Sequence, residues 1–529
     1  MSNPSALPDD SYRPAELHSE FEKQNLAQNT HRRSLVDGVI ALGARSESSQ
    51  SDSQLSEFLS EPDWRKKLAI WLGDDSIRRL GLAQTKLLHQ LDRDLALIDR
   101  LIEDQLAVIL HHPVFQRLEG AWRGLQHLVS CIDDFPDASM QLKVWNATWT
   151  ELRDDVDGTD FDQSQFFKKI YEEGLGTSGA TPFSALLLDF SLHPRPSRDH
   201  PVDDISILQK MSETAAAAFA PLFINADPSM FSVDEFSELR QSMDIELLHS
   251  KLDFVRWQRF RETEESRFVS VVMPRMLMRR PYRPESYHHF GFKFEENPKK
   301  LNEQLWSGAV WGIGEVLLRN FAESRWFATI RGVERGEVGA GLVLGPACDE
   351  FTTEPGKLAS KPITDVVITD MFERQLAKLG FTALCASKYG PQAAFYSTPS
   401  IQKPKKYFSA EANANAELSA LTNYILCAAR FGHYVKVIAR DQIGGTLEAE
   451  DIRSRLNDWL MDYVNRDPEA SPRQRAERPL LDASVEVRPI PGRPGEYGCA
   501  IQLEPYHSFD DVKATLKLDT RLVNRNIKS

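Results

Sequence analysis

No apolar run in this chain reaches the roughly 18 to 20 residues that a membrane-crossing helix needs. Residues 1–13 also lack the basic-then-apolar order of a secretory signal. Together these absences lead us to expect a cytoplasmic protein with no membrane insertion. Cysteine is scarce and scattered: Cys131, Cys348, Cys385, Cys427 and Cys499 stand singly, with no CxxC pair. That distribution argues against a zinc finger or a disulfide framework and fits small buried hydrophobes. A basic excess is missing too. The 63 Lys and Arg are outnumbered by 77 Asp and Glu, a net charge of −14 that disfavours a general nucleic-acid binder.

Motifs that carry chemistry are also missing. Residues 336–345, GEVGAGLVLG, contain Gly-x-Gly but neither the third glycine of a dinucleotide fingerprint nor a following Gly-Lys-Ser/Thr. In the acidic run 154–162, setting Gly158 at the sharp turn of a calcium loop puts Arg153 at the first ligand position and Ser164 at the bidentate position. Two essential oxygen donors therefore fail, and a solvated acidic loop is the better reading. The pairs His111-His112 and His288-His289 lack the i, i+4 spacing of a helical zinc hydrolase. Residues 174–179, GLGTSG, are no nucleophile elbow. We expect no catalytic residue, cofactor or metal; an α/β enzyme whose site is assembled from distant residues remains a second hypothesis.

What is present is an ordinary globular composition, 41% hydrophobic and 26% charged over 529 residues, enough for two or three cored domains. Residues 1–30 are polar and Pro-rich. A short amphipathic helix follows, with Leu35, Val36, Val39 and Ile40 on one face; Gly38 and the Ser-rich run behind it make it marginal alone, a docking peptide or a packed surface helix. Leu88, Leu91, Leu95, Ile98, Ile102 and Ile109 step by three and four, with Gln105 breaking the seam, and predict a long helix over 84–110, ended by Pro113. A second helix over 114–129 would bury Phe115, Leu118, Trp122, Leu125 and Val129, completing a helical hairpin.

Period-two alternation at 139–145 and short apolar runs at 183–190, 268–273, 327–330 and 365–369 predict strands of a mixed sheet. After a helix over 448–464, strands are expected at 483–489, 497–503 and 514–523, the first two flanking the turn sequence 491–495. The fold class is thus α/β, or α+β mixed, with an N-terminal helical hairpin, mixed-sheet core and C-terminal strands. The expected divisions are 1–83, 84–135, 136–360 and 361–529. Two elements look built for contact. In the last strand Leu516, Leu518 and Leu522 share one face and Lys517, Asp519 and Arg521 the other; it pairs with a neighbouring subunit or lies in its own sheet. A helix over about 418–443 carries Arg430, His433, Lys436 and Arg440 three or four apart, a basic ridge for a polar partner or a solvated face.

Several long segments resemble one family. Residues 111–125, HHPVFQRLEGAWRGL, are similar to the signature HHxxFQxLExxWRGL of the large subunit of bacterial type VI secretion contractile sheaths. WQRFRE at 257–262, PRML at 274–277, SIQKPKK at 400–406, ANANAEL at 412–418, RFGHYVK at 430–436 and RPLLDASVEV at 478–487 follow in the family's order. The resemblance implies a phage-tail-sheath-like fold and a mechanical role: pairing with a small sheath subunit, assembly with neighbouring copies around an inner tube, and contraction that drives the tube out.

It also implies a baseplate and a recycling AAA+ ATPase as partners. The ATPase would recognise the helix bearing Leu35, Val36, Val39 and Ile40, although Ala41-Leu42 stand where the family has a charged pair. Strand exchange would use Leu516, Leu518 and Leu522, and the tube contact would use Arg430, His433, Lys436 and Arg440. A sheath-like or adaptor component of another contractile injection machine is the further alternative.

Overall fold

The computed structural model describes residues 49–73, 84–177, 179–239, 243–286, 291–327, 329–333, 340–345, 347–355, 357–386, 392–441, 449–467, 470–489, 497–505 and 516–522. The chain divides into two compact units, residues 1–110 with 282–296, and residues 111–281 with 297–529.

The first unit is helical where described: Ser49–Ser60, Trp64–Leu72 and the long Gln84–Leu110. Asp63 caps the second helix by accepting from the Arg65 N–H. The Phe58 and Trp71 rings meet at 5.4 Å, and the Trp71 indole donates to the buried Asp94. The helix Pro113–Asp133 begins the second unit. Proline cannot extend a preceding helix but suits a first turn, and the His112 side chain caps that turn by accepting from Val114. The two helices expected as a hairpin therefore fall in different units.

A six-stranded sheet centres the second unit: β1 Leu186–Leu192, β2 Leu222–Ala226, β3 Val269–Met273, β4 Leu342–Val343, β5 Phe381–Ala386 and β6 Ala393–Phe395, in the order β1-β2-β3-β5-β6-β4. The first four of that order pair parallel; β6 runs antiparallel to β5 and β4. Every residue of β2 and β3 is buried, as a parallel strand covered on both faces requires. One core cluster contains Leu208, Met211, Phe231, Trp257, Phe260 and Leu376. A second contains Val310, Ile313 and Val316 of the helix Val310–Ser324, with Phe327 and Phe395.

A third cluster joins Trp326, Phe431 and Leu460 to an antiparallel sheet of β7 Leu480–Pro489, β8 Tyr497–Pro505 and β9 Leu516–Leu522. The fold is thus mixed α/β, as read.

Four expectations need correction. Residues 139–145 form no strand: Ser139 turns at φ +45°, no strand among the described residues pairs with them, and Lys143 and Trp145 rest on the rings of Phe183 and Phe166. The described residues of 327–330 are irregular, as are 365–369, where Asp365 turns back onto Arg275. Strands β5 and β6 join β1 to β3, so a boundary at 360 would cut a single sheet. The helix expected from about 418 to 443 is present as Thr422–Asp441, with residues 418–419 closing the preceding helix Ala410–Ser419.

Candidate functional site

The signature helix Pro113–Asp133 is held by the face that a hydrophobicity pattern would leave outside. Its buried residues are Gly120, Gly124 and Leu128. A Cβ on Gly120 would lie 3.2 Å from that of Ser307, and Leu128 reaches to within 3.0 Å of where Gly314 would carry one. Two helices can approach this closely only because the contact residues have no side chains to separate them.

Polar groups complete the seam. The Gln116 side chain donates to the carbonyls of Asn302 and Glu303. Glu119 Oε1 accepts from Arg123 at 2.7 Å and Arg279 at 2.8 Å. Beneath them, Glu315 is a buried hub. It lies 2.9 Å from His127 Nε2 and accepts from Arg319 at 3.0 Å and from the backbone N–H of Leu344 and Gly345 at 2.8 and 3.1 Å. Burial opposes its ionisation, but the His127 and Leu344 bonds and the Arg319 charge outweigh burial and hold the carboxyl below its usual range. Sequence reading passed over Glu315 and Arg319. The available signal was a charged i, i+4 pair inside an otherwise apolar helix.

The stripe read as buried is instead turned outward. Leu118 is 56% and Trp122 65% exposed, with Val114, Phe115 and Val129 exposed as well and Leu125 half-buried. The correction follows from the packing, since the glycine face is the one that docks. A row of large apolar side chains on a helix fixed from behind is a surface suited to another protein.

Two separately noted segments come together. Lys403 N–H donates to the Arg261 carbonyl and Ile401 N–H to that of Val269, laying 401–403 beside WQRFRE. Buried Arg261 donates in return to the carbonyls of Ile401 and Lys378. At the surface Lys403 pairs with Glu262 and Lys405 with Glu264. Asp365, buried, holds Arg275 of the PRML segment at 2.7 Å.

The basic ridge on Thr422–Asp441 is largely spent inside the chain. Arg430 stacks over Phe321 and Trp326 and donates to the Tyr434 hydroxyl. His433 is buried against the Ala218 carbonyl at 2.7 Å, and Lys436 reaches the Ala217 carbonyl while lying over the Phe219 ring. These contacts satisfy the end of the helix Asp204–Ala218, where orphan carbonyls attract cations. They occupy donors a tube contact would need. The Arg440 side chain lies outside the described residues, as do Leu35, Val36, Val39, Ile40, His288, His289 and residues 336–339 of the glycine-rich run. Leu516, Leu518 and Leu522 face Leu503, Ile501 and Tyr497 in register, so the last strand sits in the chain's own sheet. No described helix is long and apolar enough to cross a membrane.

The family model of the VipB tail sheath N-terminal domain, EvpB/VC_A0108, matches residues 92–402. The companion VipB gpW/gp25-like tail sheath domain matches 411–522. The chain belongs to the VipB tail sheath family. The type VI secretion system sheath protein TssC1 of Pseudomonas aeruginosa is 32% identical over 457 residues, covering 85% of this chain and 89% of that one. The chain is accordingly a large subunit of the type VI contractile sheath type. Among solved structures, the baseplate of the anti-feeding prophage aligns at TM-score 0.29 and 10% identity over 54% of this chain and 56% of that one. The sheath tail protein of Desulfitobacterium hafniense aligns at 0.28 and 11% over 60% of each. At such scores neither carries argument. The two family models meet between 402 and 411, after the central sheet is complete and before the helices that support β7 to β9.

Proposed function

We infer that the chain works mechanically, without chemistry of its own, as the large partner of a cytoplasmic sheath heterodimer. The observation that carries this reading is the outward stripe of Val114, Phe115, Leu118, Trp122 and Val129 on a helix anchored by its glycine face. Such a stripe suits an apolar helix of a small sheath subunit, and the anchored face transmits load from that partner into the central sheet. Copies of the pair assemble by contacts that do not close on themselves, which gives a helix of indefinite length. The lattice surrounds an inner tube, starts on a baseplate and stores free energy released on contraction; a separate AAA+ ATPase resets it.

The test is co-expression with the small subunit encoded beside it, followed by electron microscopy. Long tubules are expected only from the pair. Leu118→Asp with Trp122→Asp should abolish co-purification while leaving the circular dichroism of the large subunit unchanged. Tubules formed by that double variant would refute the assignment of the stripe.

A further inference from the structure

Two histidines and a carboxylate, unused by the sheath reading, meet where the parallel strands end. His193 directly follows β1, Asp204 opens the helix Asp204–Ala218, and His200 lies in the connection between them. Asp227 directly follows β2. In open α/β sheets this carboxyl end of the strands is where ligands gather.

The geometry is convergent. The Asp204 side chain is fully buried, while His193 and His200 are about one-fifth exposed. Asp204 Oδ2 accepts from the His193 backbone N–H at 3.0 Å and lies 2.9 Å from His193 Nδ1. Its Oδ1 lies 2.6 Å from His200 Nε2. The imidazoles stack with centroids 4.2 Å apart, so one nitrogen of each ring aims at the same carboxylate. One ligand atom from each of the three residues falls within 4.8 Å of the others. On its far side, His193 Nε2 faces Asp227 Oδ2 at 3.4 Å.

Charge and tautomer both call for positive charge here, from a metal ion or from a second proton on His193. Among the described residues no lysine or arginine pairs with Asp204 or Asp227; nearby Arg256 is taken by Asp203 and Arg195 by Asp253. With neutral rings the cluster holds two carboxylates and no compensating charge, a costly state for a buried group. If His193 donates from Nδ1 to Asp204, the lone pair on Nε2 is aimed at Asp227, acceptor against acceptor. A cation on Nδ1 moves that proton to Nε2, where Asp227 accepts it. Metal-bound histidines are commonly oriented by a carboxylate in just this way.

We propose that His193 Nδ1, His200 Nε2 and the Asp204 carboxylate form a binding site for a divalent transition cation of the zinc class, with Asp227 orienting His193. Two imidazoles and one carboxylate match such a cation, whereas magnesium and calcium favour all-oxygen shells. Bonds of about 2.0 to 2.1 Å in a tetrahedron place donors roughly 3.3 Å apart. The His–Asp contacts must therefore open by about half an ångström, a rotation of rings that are about one-fifth exposed. Solvent completes the shell on the open side. The cation would tie the exit of β1, the edge strand of the sheet, to the helix and strand that follow it.

The experiment titrates the full chain, stripped by chelator and dialysed, with Co2+ as the probe. One equivalent should produce visible ligand-field absorption that Zn2+ bleaches, and Zn2+ should raise the melting temperature. His193→Ala and His200→Gln should both lose the absorption, the second keeping a hydrogen bond to Asp204 and so guarding against simple misfolding. Asp227→Asn should weaken binding about 10- to 100-fold. Absence of the absorption in the wild type overturns the site, as does absorption retained in both histidine variants. A melting temperature that follows pH but ignores both chelator and Zn2+ would also overturn it, since the cluster would then hold a proton.

Discussion

Gly124 lies against Trp311 so closely that a Cβ on the glycine would stand 2.3 Å from the indole. The signature helix thus meets the helix Val310–Ser324 backbone to ring, and the Trp311 indole is itself held by its N–H to Ser307 Oγ at 3.2 Å. Gly124→Ala gains helix propensity of about 1 kcal/mol but must displace that ring, at a cost of roughly 1 to 3 kcal/mol or more. We expect net loss of stability in urea denaturation, largely recovered by adding Trp311→Leu. A variant as stable as the wild type would mean the helix docks elsewhere.

Glu315 offers a second test of the same seam. Glu315→Gln keeps the shape but turns an amide donor toward the Leu344 and Gly345 N–H groups, and it leaves the buried Arg319 guanidinium without its carboxylate. Breaking one side of a buried pair costs about 3 to 5 kcal/mol. The denaturant midpoint should fall with little change in slope. A loss below 1 kcal/mol would show that water or rearrangement satisfies Arg319.

These two sites mark where sequence reading stopped. The helices at 84–110, 113–133, 422–441 and 449–461 and the strands at 186–192, 269–273, 480–489 and 497–505 were legible, because apolar period and flanking turns set them locally; the helices at 204–218 and 310–324 were not. Which face of 113–133 docks was not. Apolarity pointed to Leu118 and Trp122, but the decision rests on Gly120 and Gly124, whose value depends on what stands opposite them. The internal partners of the basic ridge were out of reach for the same reason: the spacing of Arg430, His433 and Lys436 is clear in sequence, whereas the carbonyls of Ala217 and Ala218 that receive two of them are more than 200 residues away.

His433 makes that internal contact titratable. Burial, with Lys436 and Arg430 nearby, pushes its pKa from the usual 6.5 down to about 4. The unfolded chain therefore binds a proton that the folded chain refuses between those values. The stability contributed is whole above pH 6.5 and drains as pH falls toward 4, by up to about 1.4 kcal/mol per pH unit. His433→Gln can still donate to Ala218 but does not titrate. The variant should be the less stable at pH 7.5, with the gap narrowing on acidification; denaturation at pH 7.5, 6.0 and 5.0 measures it, and a constant gap would contradict the sign.

The amphipathic segment bearing Leu35, Val36, Val39 and Ile40 is proposed as the handle of the recycling ATPase. Val36→Asp with Ile40→Asp removes its apolar face and should leave assembly intact while weakening capture by the ATPase N-terminal domain in a pull-down. Equal capture of both proteins would remove the role.

Strand exchange makes the most demanding claim, because β9 already has a place. Its seven residues pair antiparallel with β8 from Leu503↔Leu516 to Tyr497↔Leu522, closing the edge of the C-terminal sheet. A strand bound by backbone hydrogen bonds can be traded for an identical strand from a neighbour with no net change in pairing, so the driving force for exchange comes from the linked subunits and not from the sheet. Deleting residues 514–529 should expose the β8 edge yet spare the core beneath it, where Ile501 and Leu503 are buried against the helix bearing Phe431. The truncated chain is expected to pair with the small subunit but to stop at short oligomers, since each copy can still receive a strand and none can donate one. Adding intact subunits in trace amounts should then extend those oligomers only by the donors supplied. Normal long tubules from the truncated chain alone would end the exchange proposal and leave β9 as an ordinary terminal strand.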